Sequence, residues 1–397
     1  MKNLNRRHFV KQLGMSSAGL MLGSSINSVE AKTPCDHNTT PIIPFVGTHQ
    51  AGITTPGQKH IYFIVLDLHT DKLEDIKQMF KVWTSYSKNL TQGKNVKEYS
   101  KNHFIPPADT GEADSLSAHK LTLTFGVSPS FFTKLNINHL KPAELTDLPH
   151  FPRDQLKPEY IGGDICIQAC ADDPQVAFNA VRNLVRVARS TITMKWSQSG
   201  FTSYDDLQTP RNLFAFKDGT ANFSGQKLDE VVWVQQDNWL KNGSYLVVRR
   251  IKMFLETWDR TNAAEQNNTF GRYRDSGIAF GHKDEFDTLD LKKMDEKGKP
   301  IFPNTSHVKL AHQTGLNILR RSYSYASGID DHAQFDAGLL FISFQNDPKT
   351  FITIQNSLGN TDKMNEYVTH IGSGLFACFP GIVDEQDYLG RSLFDAI

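Results

Sequence analysis

Three short segments in the second half of this 397-residue chain carry side chains that could do chemistry together. In NLFAFKDGTAN (212–222), apolar residues deliver Asp218 into a turn with Gly219. A carboxylate held on such a turn can accept a proton and return it. SHVKLAH (306–312) offers His307 and His312 as metal ligands or proton carriers. ILRRSYSY (318–325) reads as a strand with Arg320, Ser322 and Ser324 on one face and Arg321, Tyr323 and Tyr325 on the other. Small serines beside Arg320 leave space around a permanently charged guanidinium, a group suited to stabilising an anion. Taken singly, each segment has a plainer reading. Asp-Gly is common in ordinary turns, a histidine among apolar residues is more often a hydrogen-bonded core group, and alternating serines also suit a solvated edge strand.

Composition narrows the classes. Lys plus Arg number 43 and Asp plus Glu 43, interspersed, so a dedicated nucleic-acid surface, which needs concentrated positive charge, is not expected. Beyond the N-terminus no run approaches the ~20 apolar residues of a membrane span. Cys166 and Cys170, four apart on a strand, would stand roughly 13 Å from each other, too far for a disulfide. With Cys35 and Cys378 they are expected to be isolated thiols. The N-terminus orders its regions as a signal peptide does: charged Arg6-Arg7, a modestly apolar stretch over 13–22, then small residues near Ala31. Paired arginines before Phe9 look like a twin-arginine signal, so residues 1–31 are set apart and the remainder is expected in the periplasm.

Something must position the three segments. The chain is longer than one core normally organises, so two domains or one pseudo-duplicated domain are expected. A strand at His60–Leu68 precedes a helical pattern of Leu73, Ile76, Phe80 and Trp83. Strands follow at 121–127 and 165–170. The second ends in Asp173-Pro174, an N-cap and first helical residue, before a helix presenting Ala177, Val181, Leu184, Val185 and Ala188. The same grammar recurs: strand 245–251, helical LETWDR, strand 339–344, then Asp347-Pro348 and helical FITIQNSL. The junctions lie 174 residues apart, a faint internal repeat. It predicts an α+β fold of two related units, over 32–210 and 211–397, each an antiparallel sheet with helices packed on one face.

Together the three segments resemble the dye-decolorising haem peroxidases, whose signature is a Gly-x-x-Asp-Gly turn, a histidine segment carrying the iron ligand, and an Ile-Leu-Arg-Arg-like strand. Stretches at 44–53, 163–172, 247–251, 258–261, 338–341 and 376–381 are similar to the exported, iron-uptake-associated subgroup. The resemblance spans essentially the whole mature chain. It implies two ferredoxin-like units in a dimeric α+β barrel-like arrangement, with one haem b held mainly by the C-terminal unit. His307 would ligate the iron. Asp218 would move the peroxide proton and Arg320 would stabilise developing charge and contact the haem. Gly219, Thr220, Ala221, His312, Gln313 and Thr314 would touch the cofactor. Hydrogen peroxide and a bulky organic reductant are the implied substrates, and the twin-arginine translocase serves during export. The subgroup also carries the alternative of a deferrochelatase that releases iron from haem, beside a ferrous-iron uptake system, and admits a homodimer. A haem-free exported binding protein is the remaining rival, which a visible spectrum would distinguish.

Three departures stand out. Ala215 replaces the first glycine of the turn, Lys309 replaces the usual arginine after the ligand, and His312-Gln313-Thr314 replaces Asn-Pro-Arg. A ligating histidine usually donates its second N–H to a carboxylate, and Asp336 is a candidate acceptor. Electrons from bulky reductants would pass through surface aromatics, for which Tyr323, Tyr325 and the five tryptophans are candidates. A carboxylate of ordinary pKa ~3.9 still works as a base in acid, where a histidine of ~6.5 is protonated, so an acidic optimum is expected.

Overall fold

A computed structural model describes residues 41–203 and 208–397; the expected export segment 1–31 lies outside them. The first half runs β1 (His60–Leu68), α1 (Leu73–Leu90), β2 (Thr122–Val127), α2 (Pro129–Lys134), β3 (Ile165–Ala171), α3 (Pro174–Val187) and β4 (Ile192–Phe201). The second runs α4 (Gln226–Val232), β5 (Ser244–Met253), α5 (Leu255–Trp258), α6 (Ala263–Phe270), α7 (His307–His312), β6 (Leu319–Arg320), β7 (Tyr323–Ile329), β8 (Phe335–Gln345), α8 (Pro348–Leu358), β9 (Val368–Cys378) and α9 (Arg391–Phe394).

The first-half strands lie in the order β2-β3-β1-β4, all antiparallel. In the second half β9, β5 and β8 are neighbours, and β6 and β7 both pair with β8. Each set is a ferredoxin-like sheet with helices on one face, as the repeat predicts. Short pairings join them: Gly126 opposite Cys378 between β2 and β9, and Phe201 opposite Ser324 between β4 and β7. The two sheets therefore curl into a barrel-like arrangement. Closure explains why β2 and β3 bury every residue instead of alternating. One face, with Phe63, Val65, Leu246, Val248 and Ile342, fills the interior, while Ile64, Leu66 and Ile167 meet the helices. On the helical side Trp83 is fully buried, and its Nε1 donates to Leu184 O at 2.9 Å.

The Asp-Pro junctions are real helix starts. Asp173 accepts from the backbone N–H groups of Gln175 and Val176, and Asp347 from that of Lys349. Cys166, Cys170 and Cys378 are buried free thiols, whose pKa burial raises and whose reactivity it suppresses. The predicted strand over 318–325 is interrupted between Arg320 and Tyr323, although its two faces separate as expected. Tyr323 and Tyr325 point into the barrel core, and none of Trp83, Trp196, Trp233, Trp239 and Trp258 is more than 8% exposed. These candidates for surface electron entry are therefore buried: Tyr323, Tyr325, Trp196 and Trp233 in the barrel interior, and Trp83, Trp239 and Trp258 in clusters outside it.

Candidate active site

Between the outer face of the second sheet and helices α7 and α8 lies a cavity enclosing about 1560 Å³, counting the solvent at its mouth. Its walls include Phe214, Ile251, Met253, Phe270, Leu339, Phe341, Ile354 and Leu358, so most of its surface is apolar. Its polar groups include Asp218, Arg320, His307, His312, Arg249, Arg272 and His370.

Asp218 stands on the predicted turn, and its Oδ1 lies 3.2 Å from Arg320 Nη2. The turn is tied to the strand that brings the arginine. Asn222 Nδ2 donates to Arg320 O at 2.7 Å, and Arg320 N donates to Asn222 Oδ1 at 3.0 Å, so a side-chain amide copies a strand pairing. From below, the buried Glu285 carboxylate accepts from Lys217 Nζ, from Thr220 Oγ1 at 3.0 Å and from Thr209 Oγ1 at 2.6 Å. Those donors hold Glu285 below the usual carboxylate range against the opposing effect of burial. Ala215 does adopt a left-handed backbone, φ 66°, so the glycine-like turn is kept without the glycine.

His307 opens α7. Gly271, which ends α6 at φ 84°, allows this placement: a Cβ there would come 3.1 Å from Ser306 Oγ, the residue capping α7. The His307 Nδ1 lies 2.6 Å from Asp362 Oδ2. Burial would lower this imidazole's pKa, but the charge and hydrogen bond of Asp362 outweigh it and hold the value above the ordinary one. Nδ1–H donation to Asp362 leaves the Nε2 lone pair as the coordinating site. Asp336, the acceptor expected from sequence, instead pairs with Arg250 at 2.9 Å, because β8 turns it toward the barrel interior side of β5.

Other expected contacts divide. Thr220, Ala221 and His312 border the cavity. Gly219 borders an adjoining pocket, lined also by Thr202, Thr209, Ser322 and Ser324, which shares Asp218 and Arg320 with the main cavity. Gln313 donates to Ser357 Oγ at 2.9 Å and Thr314 to Ala311 O at 3.0 Å, and neither borders the cavity. Lys309 reaches Asn304 at 2.7 Å on the surface. Burial, with Arg272, Arg320 and His307 nearby, lowers His312 to about 4.

Sequence reasoning missed Asp362, Glu285, Asn222 as a clamp, and the pair Arg249 and His370. Only Arg249 left a signal, as an arginine inside the otherwise apolar VVRRI of β5, where charge is rarely tolerated unpaired.

The donor set fits a particular kind of group. Among the described residues no cluster of three or more His, Cys, Asp or Glu side chains could hold a bare metal ion. One oriented imidazole in a broad apolar cavity suits an iron whose remaining ligands come from its own macrocycle. Fold and site thus define a haem oxidoreductase. Residues 50–202 match the family model for the N-terminal part of Dyp-type peroxidases, and 209–383 that for the C-terminal part. The chain is 35% identical to a deferrochelatase of Yersinia pseudotuberculosis, covering 99% of this chain and 95% of that one. It is also 35% identical to one of Escherichia coli O157:H7, over 88% and 86%. A DyP-type peroxidase structure from Streptomyces coelicolor superposes with TM-score 0.84 at 31% identity, covering 91% of this chain and 99% of the other. Ferric DtpA from Streptomyces lividans gives the same score and identity, over 91% and 100%. The chain belongs to the Dyp-type peroxidase family: it is a haem peroxidase.

Proposed function

We propose that His307 is the iron ligand, that Asp218 is the proton shuttle for peroxide and that Arg320 is its electrostatic partner. One observation carries this reading: a carboxylate–guanidinium pair and an imidazole already polarised by Asp362 border one apolar cavity. Bound haem supplies the iron that takes up hydrogen peroxide and the two electrons that cleave its O–O bond. Asp218 accepts the proton of one peroxide oxygen and returns it to the other, which leaves as water. Arg320, which cannot deprotonate, stabilises negative charge on the departing oxygen and keeps Asp218 oriented. The adjoining polar pocket gives peroxide a hydrogen-bonding approach to the same two groups. An organic reductant then restores the electrons.

The test is rapid mixing of haem-loaded protein with hydrogen peroxide. Asp218→Asn is expected to slow the reaction by ~10² or more, and a trace matching wild type would remove Asp218 from the mechanism.

The relatives named deferrochelatase favour a second reading, release of iron from haem; partnership with a ferrous-iron uptake system would belong to that reading. Products separate the two: a peroxidase yields oxidised reductant and keeps its haem, whereas a chelatase yields iron and free porphyrin. Export to the periplasm by the twin-arginine translocase rests on Arg6 and Arg7. Replacing both with lysine should hold the protein in the cytoplasm, which cell fractionation reads directly.

A further inference from the structure

Two of the three histidines that border the cavity, His307 and His370, have opposite partners. His307 meets a carboxylate, an acceptor only. His370, on β9, meets Arg249, a donor only: Arg249 Nε lies 3.4 Å from His370 Nδ1. The guanidinium is fixed there. Its Nη1 donates to Ser373 Oγ at 2.8 Å, its Nη2 pairs with Asp154, and the Phe151 ring lies 5.2 Å away. Asp154 is brought by the first half of the chain, whose backbone runs beside β9 through Gln155 N to His370 O and Lys157 N to Ile371 O, both 2.9 Å. Since the arginine can only donate, His370 Nδ1 must present its lone pair, and the proton of the neutral ring sits on Nε2. Burial and Arg249 together lower His370 to about 3, so the ring stays neutral in acid.

Neither nitrogen of the pair is interchangeable. His307 offers a lone pair to the cavity, while His370 offers an N–H and cannot ligate iron without moving its proton. The Nε2 of His370 has no partner among the described residues, although the residue is only 7% exposed and borders the cavity. An occupant filling the cavity would cover that N–H, and a covered donor left unmet costs stability, so the occupant should bring an acceptor. Haem has two acceptors besides its metal-bound nitrogens, and both are carboxylates.

We propose that His370 is a cofactor-binding residue whose Nε2–H donates to a carboxylate of the bound porphyrin, with Arg249 and Asp154 fixing its tautomer. This rests on haem as the occupant of the cavity.

The experiment titrates apo-protein with ferric haem and with its dimethyl ester, for wild type, His370→Leu and His370→Gln. His370→Leu should bind haem roughly ten- to a hundred-fold more weakly, the scale of one hydrogen bond to a charged group. Its affinity for the ester should change less than about three-fold, and His370→Gln, which keeps a donor, should recover part of the loss. Equal losses for both porphyrins, or none, overturn the proposal. Failure of wild type to bind either porphyrin would instead count against haem as the occupant. Should the leucine variant misfold by circular dichroism, the ¹⁵N spectrum of histidine-labelled wild-type apo-protein decides. The resonances absent from His370→Gln should report a ring protonated at Nε2 and bare at Nδ1; the reverse tautomer overturns the assignment.

Discussion

At the scale of single residues, the site works by giving each ionisable group one partner that fixes what it can do. In the proposed assignment, Asp362 accepts the second N–H of His307 and so strengthens it as a ligand. Asp362→Asn should therefore weaken haem binding by roughly 10- to 100-fold, the usual effect of losing such a partner, as read by titrating apo-protein with haem. His307→Ala should abolish stable haem binding, and a variant isolated with its full visible spectrum would move the ligand elsewhere. Acid stability has a defined sign. The His312 pKa falls from an unfolded value near 6.5 to about 4 in the fold. Its neutral form favours folding above the unfolded pKa, and that contribution is lost as pH falls from about 6.5 toward 4. His370 acts in the same direction, and His307, whose value is raised, acts in the opposite one. Melting temperatures of apo-protein between pH 7 and 4 should thus fall less steeply for His312→Asn than for wild type.

Elements carry these groups to their places. The residues that announce elements, Asp173-Pro174 and Asp347-Pro348, act through bonds to their own helix starts, which is why they were readable from sequence. Asp347→Ala should cost about 1 kcal/mol, the typical value of a lost N-cap, in chemical denaturation. α8 walls the cavity, so haem affinity should drop along with stability; for Asp173→Ala, on α3, stability alone should change. The strand over 318–325 was legible as an alternation, but its break was not. Arg321 is pulled into the barrel, where it donates to Gln58 and to the Thr55 and Pro56 carbonyls. Partners more than 250 residues away leave no trace in local pattern.

For the whole molecule, the informative feature is how little backbone joins the two sheets. β4 meets β7 at a single register position and β2 meets β9 at two, so cohesion comes mainly from the shared barrel interior. The second half also needs Asp154 from the first to neutralise Arg249. The half-chain 208–397 made alone is expected to remain unfolded by circular dichroism and to bind no haem, while co-expression with 41–203 should restore both. A separately folded, haem-binding C-terminal half would show that the shared interior is dispensable.

By itself the sequence determined the strand and helix grammar, the internal repeat and the three segments bearing Asp218, His307 and Arg320. Those depend on side-chain period, capping chemistry and short motifs, which act over a few residues. Tertiary structure alone decided which carboxylate supports His307, that Asn222 and Glu285 hold the Asp218 turn, and that His370 faces the cavity as a donor. Each of those outcomes depends on a hydrogen bond between groups brought together by sheet closure, and a one-dimensional pattern has no term for it.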